Sequence, residues 1–173
     1  MDFFEVVKKR KAIRQFEADK TIPKKDIDKI VEYTNLAPSA RNLQGYKIFI
    51  IQKKAIIKIF PCFYNQRSDF IKNASIILIF CLDPEMSEKQ FGERGKNLYS
   101  LQDATIAATF AMLTATALGY ATCWVGNFDE LEVKRVLKTS LRPVASIIVG
   151  YSKENPNRPE RNKAKTISEI ITS

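Results

Sequence analysis

Apolar residues recur along the chain in two rhythms, and the alternation between them outlines the fold. Pro23, Ile27, Ile30, Val31 and Thr34 fall at helical spacing, so an amphipathic helix is predicted over 23–36, with Pro23 in its first turn and Pro38 past its end. Residues 2–9 predict a short helix that buries Phe4 and Val7. The stretch 10–16 reads as extended, which would send Arg10, Ala12 and Arg14 to one side and Lys11, Ile13 and Gln15 to the other. Residues 46–51, YKIFII, are rich in β-branched and aromatic side chains and predict a strand, followed by a helix over 53–60. SIILIFCL at 75–82 and PVASIIVG at 143–150 are near-continuous apolar runs, as in strands covered on both faces. Asp83 and Pro84 open another helix.

The longest helical pattern, LQDATIAATFAMLTATALG at 101–119, has Gly119 placed to cap it. Its many Ala and Thr residues leave room for another helix to approach closely, at a domain core or at a dimer interface. Asp129 and Glu132 form a capping pair for a helix that would bury Leu131, Val133, Val136 and Leu137. Doubly covered strands separated by helices imply a three-layer α/β/α sandwich of the α+β class. No repeat or linker divides the chain, so 1–173 is read as a single domain.

Composition narrows the chemistry. A content of 45% hydrophobic residues in 173 suits a globular domain with its own core. No apolar run approaches the roughly 20 residues of a membrane span, and the N-terminus places its apolar stretch before its basic one, opposite to an export signal. Cys62, Cys81 and Cys123 are odd in number and scattered among apolar neighbours, which favours a reducing cytoplasm over a disulfide framework. The absence of histidine removes Ser-His and Cys-His nucleophile pairs and the commonest metal ligand. No metal site is expected, and an enzyme of this composition would leave the difficult chemistry to a bound cofactor.

The net charge of +9 is concentrated in two places, Lys8 to Arg14 and Lys153 to Lys165. Either cluster alone suits a solvated surface; meeting in space, they would suit an anion. Nucleic acid is a weaker reading, because the strand aromatics sit among Ile and Leu rather than between basic residues. Neither GxGxxG nor GxxxxGK[ST] occurs. One further stretch stands out: NLAPSARNLQGYKIFI, 35–50, crowds Ser39, Arg41, Asn42 and Gln44 between a helix end and a strand. By themselves Ser39 and Asn42 could be a helix-end and turn pair.

Five segments, in order, resemble the nitroreductase family of flavoproteins. RKAIRQF at 10–16 is similar to that family's RRSxRxF, and APSARNLQGYKIFII at 37–51 to its APSAxNxQPWxFxVV. GERGKNLYSLQDATIAATFAMLTATALGYATCWVGNFDE at 92–130, RPVASIIVGY at 142–151 and the basic tail complete the series. The resemblance implies a mixed central sheet flanked by helices, an intertwined homodimer, and FMN bound at its interface. It implies that Arg10, with Lys11 beside it, reaches the FMN phosphate, together with Arg161 and Lys163 or, two residues on, Lys165. Ala12 stands where many relatives have Ser, leaving only a backbone donor there. Arg14 would lie near the pyrimidine edge of the flavin, where positive charge favours the anionic reduced ring.

Pro38, Ser39, Ala40 and Asn42 match the segment given by the partner subunit, with Asn42 on the ring and Gln44 close by. Gly45 and Tyr46 replace the family's Pro and Trp. Val125 and Gly126 match the backbone donors near flavin N5, whereas Cys123 and Trp124 read as core. Asp103 is a candidate for a structural hydrogen bond near the site. Phe60 to Tyr64, Phe91 and Tyr99 either line the acceptor side or pack under loops. The implied activity is hydride transfer from NAD(P)H to FMN and onward reduction of nitroaromatics or quinones in a ping-pong cycle, with no catalytic side chain required. Alternatives on the same fold are dehalogenation, enoate reduction, flavin breakdown or flavin storage; from another class, a nucleic-acid-binding module would be colourless and salt-sensitive in binding.

Overall fold

The computed structural model describes residues 1–64 and 68–160. Four strands, β1 (Tyr46–Gln52), β2 (Ile76–Leu82), β3 (Ala121–Val125) and β4 (Pro143–Gly150), form one sheet in the order β1-β2-β4-β3. All three pairings are antiparallel. The parallel element of the sheet is the single bridge between Ala12 and Thr122, where the extended N-terminal segment joins the edge at β3. That segment then pairs with the chain leaving β4: Glu17 N–H donates to Tyr151 O at 2.9 Å, and Lys153 N–H donates to Gln15 O at 2.9 Å.

The two central strands explain the layering. Every residue of β2 is buried, and its side chains alternate between faces. Ile76, Leu78, Phe80 and Leu82 join a cluster with Ile147 and Val149 of β4, under α2 (Lys24–Thr34) and α6 (Ser100–Ala117). Ile77, Ile79 and Cys81 join Ile148 in the opposite cluster, under α3 (Ile56–Ile59), α4 (Ser68–Lys72) and α7 (Glu130–Leu137). Burying each such side chain contributes about 1.5–3 kcal/mol. The predicted α/β/α sandwich is therefore present. α5 (Glu85–Arg94) leads through a π-helical turn, Gly95–Tyr99, straight into α6.

α6 packs tightly because its inner face is small: Ala104, Ala107, Ala108, Ala111 and Ala115 are all fully buried. It ends as expected. Gly119 takes φ 93°, and Tyr120 N–H returns to Ala115 O at 2.9 Å, the left-handed glycine closure of a helix.

Two helices differ from the periodicity. α1 (Phe3–Lys9) begins at a reciprocal cap in which Asp2 Oδ1 accepts from Glu5 N–H and Glu5 Oε2 accepts from Asp2 N–H. That start directs Val6 into the core and leaves Phe4 74% exposed and Val7 at the surface. In α7, Asp129 caps Leu131 and Glu132 N–H as predicted, but the helix buries Val133 and leaves Leu131 75% exposed, with Val136 and Leu137 half-buried. With only eight residues against the sheet, α7 presents a narrower stripe than its sequence offers.

Candidate functional site

The two basic clusters meet. Lys11 Nζ donates to Asn155 Oδ1 at 2.6 Å and to Pro156 O at 2.7 Å, and the Arg158 guanidinium donates to Lys8 O at 3.4 Å. Between them, beside the end of α6 and the start of β3, lies a cavity of about 240 Å³. Lys8, Lys9, Arg10, Lys11 and Arg158 line it against one carboxylate, Glu154. That carboxylate faces backbone: Glu154 Oε1 accepts from Arg14 and Gln15 N–H. Such a cluster of cations at one concavity suits an anion with several oxygens, and Arg can engage it bidentately.

The extended segment positions these groups. Ile13 N–H donates to Thr122 O at 3.0 Å, which lays Ala12 and Ile13 along β3 with Ile13 buried. Burial pushes the Cys123 thiol pKa up, against smaller downward pulls from Arg14 and Arg10. Cys123 is buried and Trp124 packs half-buried on the core, as the sequence suggested, and the side chain of Val125 is buried as well. Gly126 follows at the surface, where among the described residues an added Cβ would meet only Trp124 Nε1, at 3.6 Å.

The polar segment after α2 forms a second group. Arg41, Asn42 and Gln44 all adopt left-handed backbone, with φ of 50°, 59° and 46°. Such conformations are uncommon for residues other than glycine. Side chains brace them: Ser39 Oγ accepts from Gln44 N–H at 3.0 Å and from Gln44 Nε2 at 3.2 Å, and Asn42 Oδ1 accepts from Gln44 Nε2 at 2.6 Å. The turn-pair reading of Ser39 and Asn42 thus holds locally, yet the strain exceeds what a plain turn needs.

Pro38, Ser39 and Ala40 border an open groove of about 710 Å³ with Tyr99, Leu101 and Asp103. Arg10 and Lys11 line the basic cavity and not this groove. Arg161, Lys163 and Lys165 lie outside the described residues.

The aromatic candidates divide. Phe63 is buried edge-on against Phe128 at 6.0 Å, and the Tyr64 hydroxyl donates to Asp129 Oδ2 at 2.7 Å, so this loop is packing and capping for α7. Phe91 and Tyr99 meet edge-on at 5.0 Å, and Tyr99 borders the groove with Arg94 over its ring. Asn155 and Arg158 complete the basic cavity, with Pro156 O holding Lys11 beside it, without a recognisable sequence pattern. The charge run of the tail was the only signal of them. Among the described residues no group of His, Cys, Asp and Glu could hold a metal ion, and no helix is long and apolar enough to cross a membrane.

Comparison with known proteins agrees with this geometry. A candidate NADH dehydrogenase/NAD(P)H nitroreductase of Methanothermobacter thermautotrophicus is 28% identical over 162 residues, covering 90% of this chain and 80% of the relative. The crystal structure of a nitroreductase family protein from Clostridium novyi NT superposes with a TM-score of 0.80 at 32% identity, over 92% of this chain and 89% of the other. An FMN-dependent nitroreductase from Clostridium difficile R20291 matches with a TM-score of 0.75 at 25% identity, over 91% of each chain. The model of the Nitroreductase family matches residues 7–66 and 62–151. A matched region that runs from the basic N-terminal segment through the strained loop to the end of β4 leaves one conclusion: this chain belongs to the nitroreductase family.

Proposed function

We propose that the chain is an FMN-dependent NAD(P)H oxidoreductase that reduces small aromatic acceptors such as nitroaromatics and quinones. The observation that carries the reading is the cavity where Lys8, Lys9, Arg10, Lys11 and Arg158 converge beside β3. A phosphate monoester dianion fits that donor set through charge-assisted hydrogen bonds. In this reading Arg10 grips the phosphate, Lys11 holds the tail that closes the cavity, and Ala12 offers backbone alone. Arg14 is assigned to the pyrimidine edge of the ring by the resemblance alone. Val125 and Gly126 offer backbone N–H to the ring edge, and among the described residues only Trp124 stands near the place of a Gly126 side chain.

FMN, when bound, takes hydride from NAD(P)H and passes the electrons on, so the protein's own part is to bind, orient and tune. One open pocket then serves donor and acceptor in turn. Pro38, Ser39, Ala40, Asn42 and Gln44 belong to the ring wall, yet Pro38 to Ala40 border a different concavity from Arg10 within one chain. That separation supports a homodimer in which each ring lies between one copy's basic cavity and the other copy's loop. Arg161 and Lys163 are assigned to the phosphate by the resemblance alone. A cytoplasmic setting, in keeping with three buried free thiols, is part of the same reading.

The test is anaerobic mixing of the FMN-loaded protein with NADH and with NADPH. Loss of the visible flavin band with at least one donor, and its return on adding a nitroaromatic or a quinone, is expected. A band that neither donor bleaches would contradict the proposal.

A further inference from the structure

The strained loop is tied at both ends to one carboxylate. Ala40 N–H donates to Asp103 Oδ1 at 2.9 Å, and Gly45 N–H donates to Asp103 Oδ2 at 3.3 Å. Asp103 is 2% exposed and sits in the first turn of α6. It does not cap that helix, because the π-helical turn Gly95–Tyr99 runs into α6 and supplies the preceding backbone carbonyls. Its oxygens are thereby left for the loop. Between the two anchored amides lie all three left-handed residues of the segment, Arg41, Asn42 and Gln44.

The fit around Gly45 is independent of those bonds. A Cβ there would stand 2.9 Å from Ser87 Oγ, 3.2 Å from Asp103 Oδ2 and 3.3 Å from Ser100 Cα, so the loop end lies flush against the start of α6. In this chain a Cβ at 45 would require the Ser87 hydroxyl and the Asp103 carboxylate to give way. Tyr46 follows with its hydroxyl buried and unpartnered among the described residues; burial and then the Asp103 charge hold its proton on.

We propose that Asp103 is the positioning residue of the flavin-facing loop, its two oxygens fixing Ala40 and Gly45 so that Asn42 and Gln44 stand preformed in left-handed backbone before the ligand arrives. This rests on the assignment of that loop to the FMN ring. With the Asn42 carbonyl oxygen engaged by Gln44, its amide N–H₂ is the part left to donate. A loop that is already ordered loses less entropy on binding.

Asp103→Asn tests this directly. The substitution is isosteric, but its amide accepts one of the two N–H groups and confronts the other with a donor. In the labelled apoprotein, hydrogen exchange at Ala40 or Gly45 should accelerate by about tenfold or more. FMN should bind about tenfold or more weakly, and the midpoint potential of the bound flavin should move. Unchanged exchange at both amides would overturn the clamp, and released amides with unchanged FMN affinity would overturn its bearing on the site. If Asp103→Asn does not fold, Ser39→Ala frees Gln44 from the opposite side; faster Gln44 exchange with weaker FMN binding supports the proposal, and unchanged FMN affinity overturns it. A wild-type protein that takes up no FMN would instead overturn the flavin reading, while the exchange measurement still decides the clamp.

Discussion

Arg10 and Gly45 carry opposite kinds of information. Arg10 lines the basic cavity, where in the proposed reading its guanidinium would meet the phosphate. Arg10→Ala should weaken FMN binding by about 1.5–3 kcal/mol, roughly ten- to a hundredfold, in a flavin-fluorescence titration; unchanged affinity would remove it from the phosphate site. Gly45 is bounded by Ser87, Ser100 and Asp103. Gly45→Ala should cost about 1–3 kcal/mol in urea unfolding, because a methyl there would crowd the Ser87 hydroxyl, the Asp103 carboxylate and the backbone of Ser100. The candidate residues 10–14 and 38–44 were legible in the sequence as charge and polar crowding. Asp103 was legible only as a candidate for a structural hydrogen bond near the site; its partners were not, since a carboxylate 63 positions from Ala40 leaves no local pattern of the pairing.

At the scale of elements, period and cap competed. The apolar runs of β2 and β4 named the central strands correctly because full burial erases alternation, and the alanines of α6 marked a close-packed helix. Periodicity misplaced Phe4 and Leu131, since a short helix buries only the residues its cap aims at the core. Asp129 shows what such a cap contributes: N–H groups of Glu132 and Leu131 and the Tyr64 hydroxyl hold its carboxyl pKa below the usual range. A depressed folded pKa stabilises above the unfolded value and loses that stabilisation as pH falls through the folded one. Asp129→Ala should therefore lower the thermal midpoint at neutral pH, with the gap to wild type closing in acid. A gap that persists unchanged at low pH would mean the carboxylate charge is not what holds the helix.

The whole molecule brings together the two basic segments whose meeting the resemblance implied and whose contacts no local pattern could name. Residues 10–17 lie between β3 and the strand-like exit from β4, so Lys11 meets Asn155 and Arg158 meets Lys8. The motif order carried the family and its three layers; the convergence of the basic clusters needed the tertiary return. The separation of the basic cavity from the Pro38 groove predicts a dimer by sedimentation, and a monomer that still retains flavin would contradict the shared-site arrangement. The central claim, that these parts exist to hold FMN, is tested most directly by saturating the purified protein with FMN, desalting it, and reading its visible spectrum with the released cofactor identified by mass. One FMN per chain is predicted. A colourless protein that retains none would contradict the account.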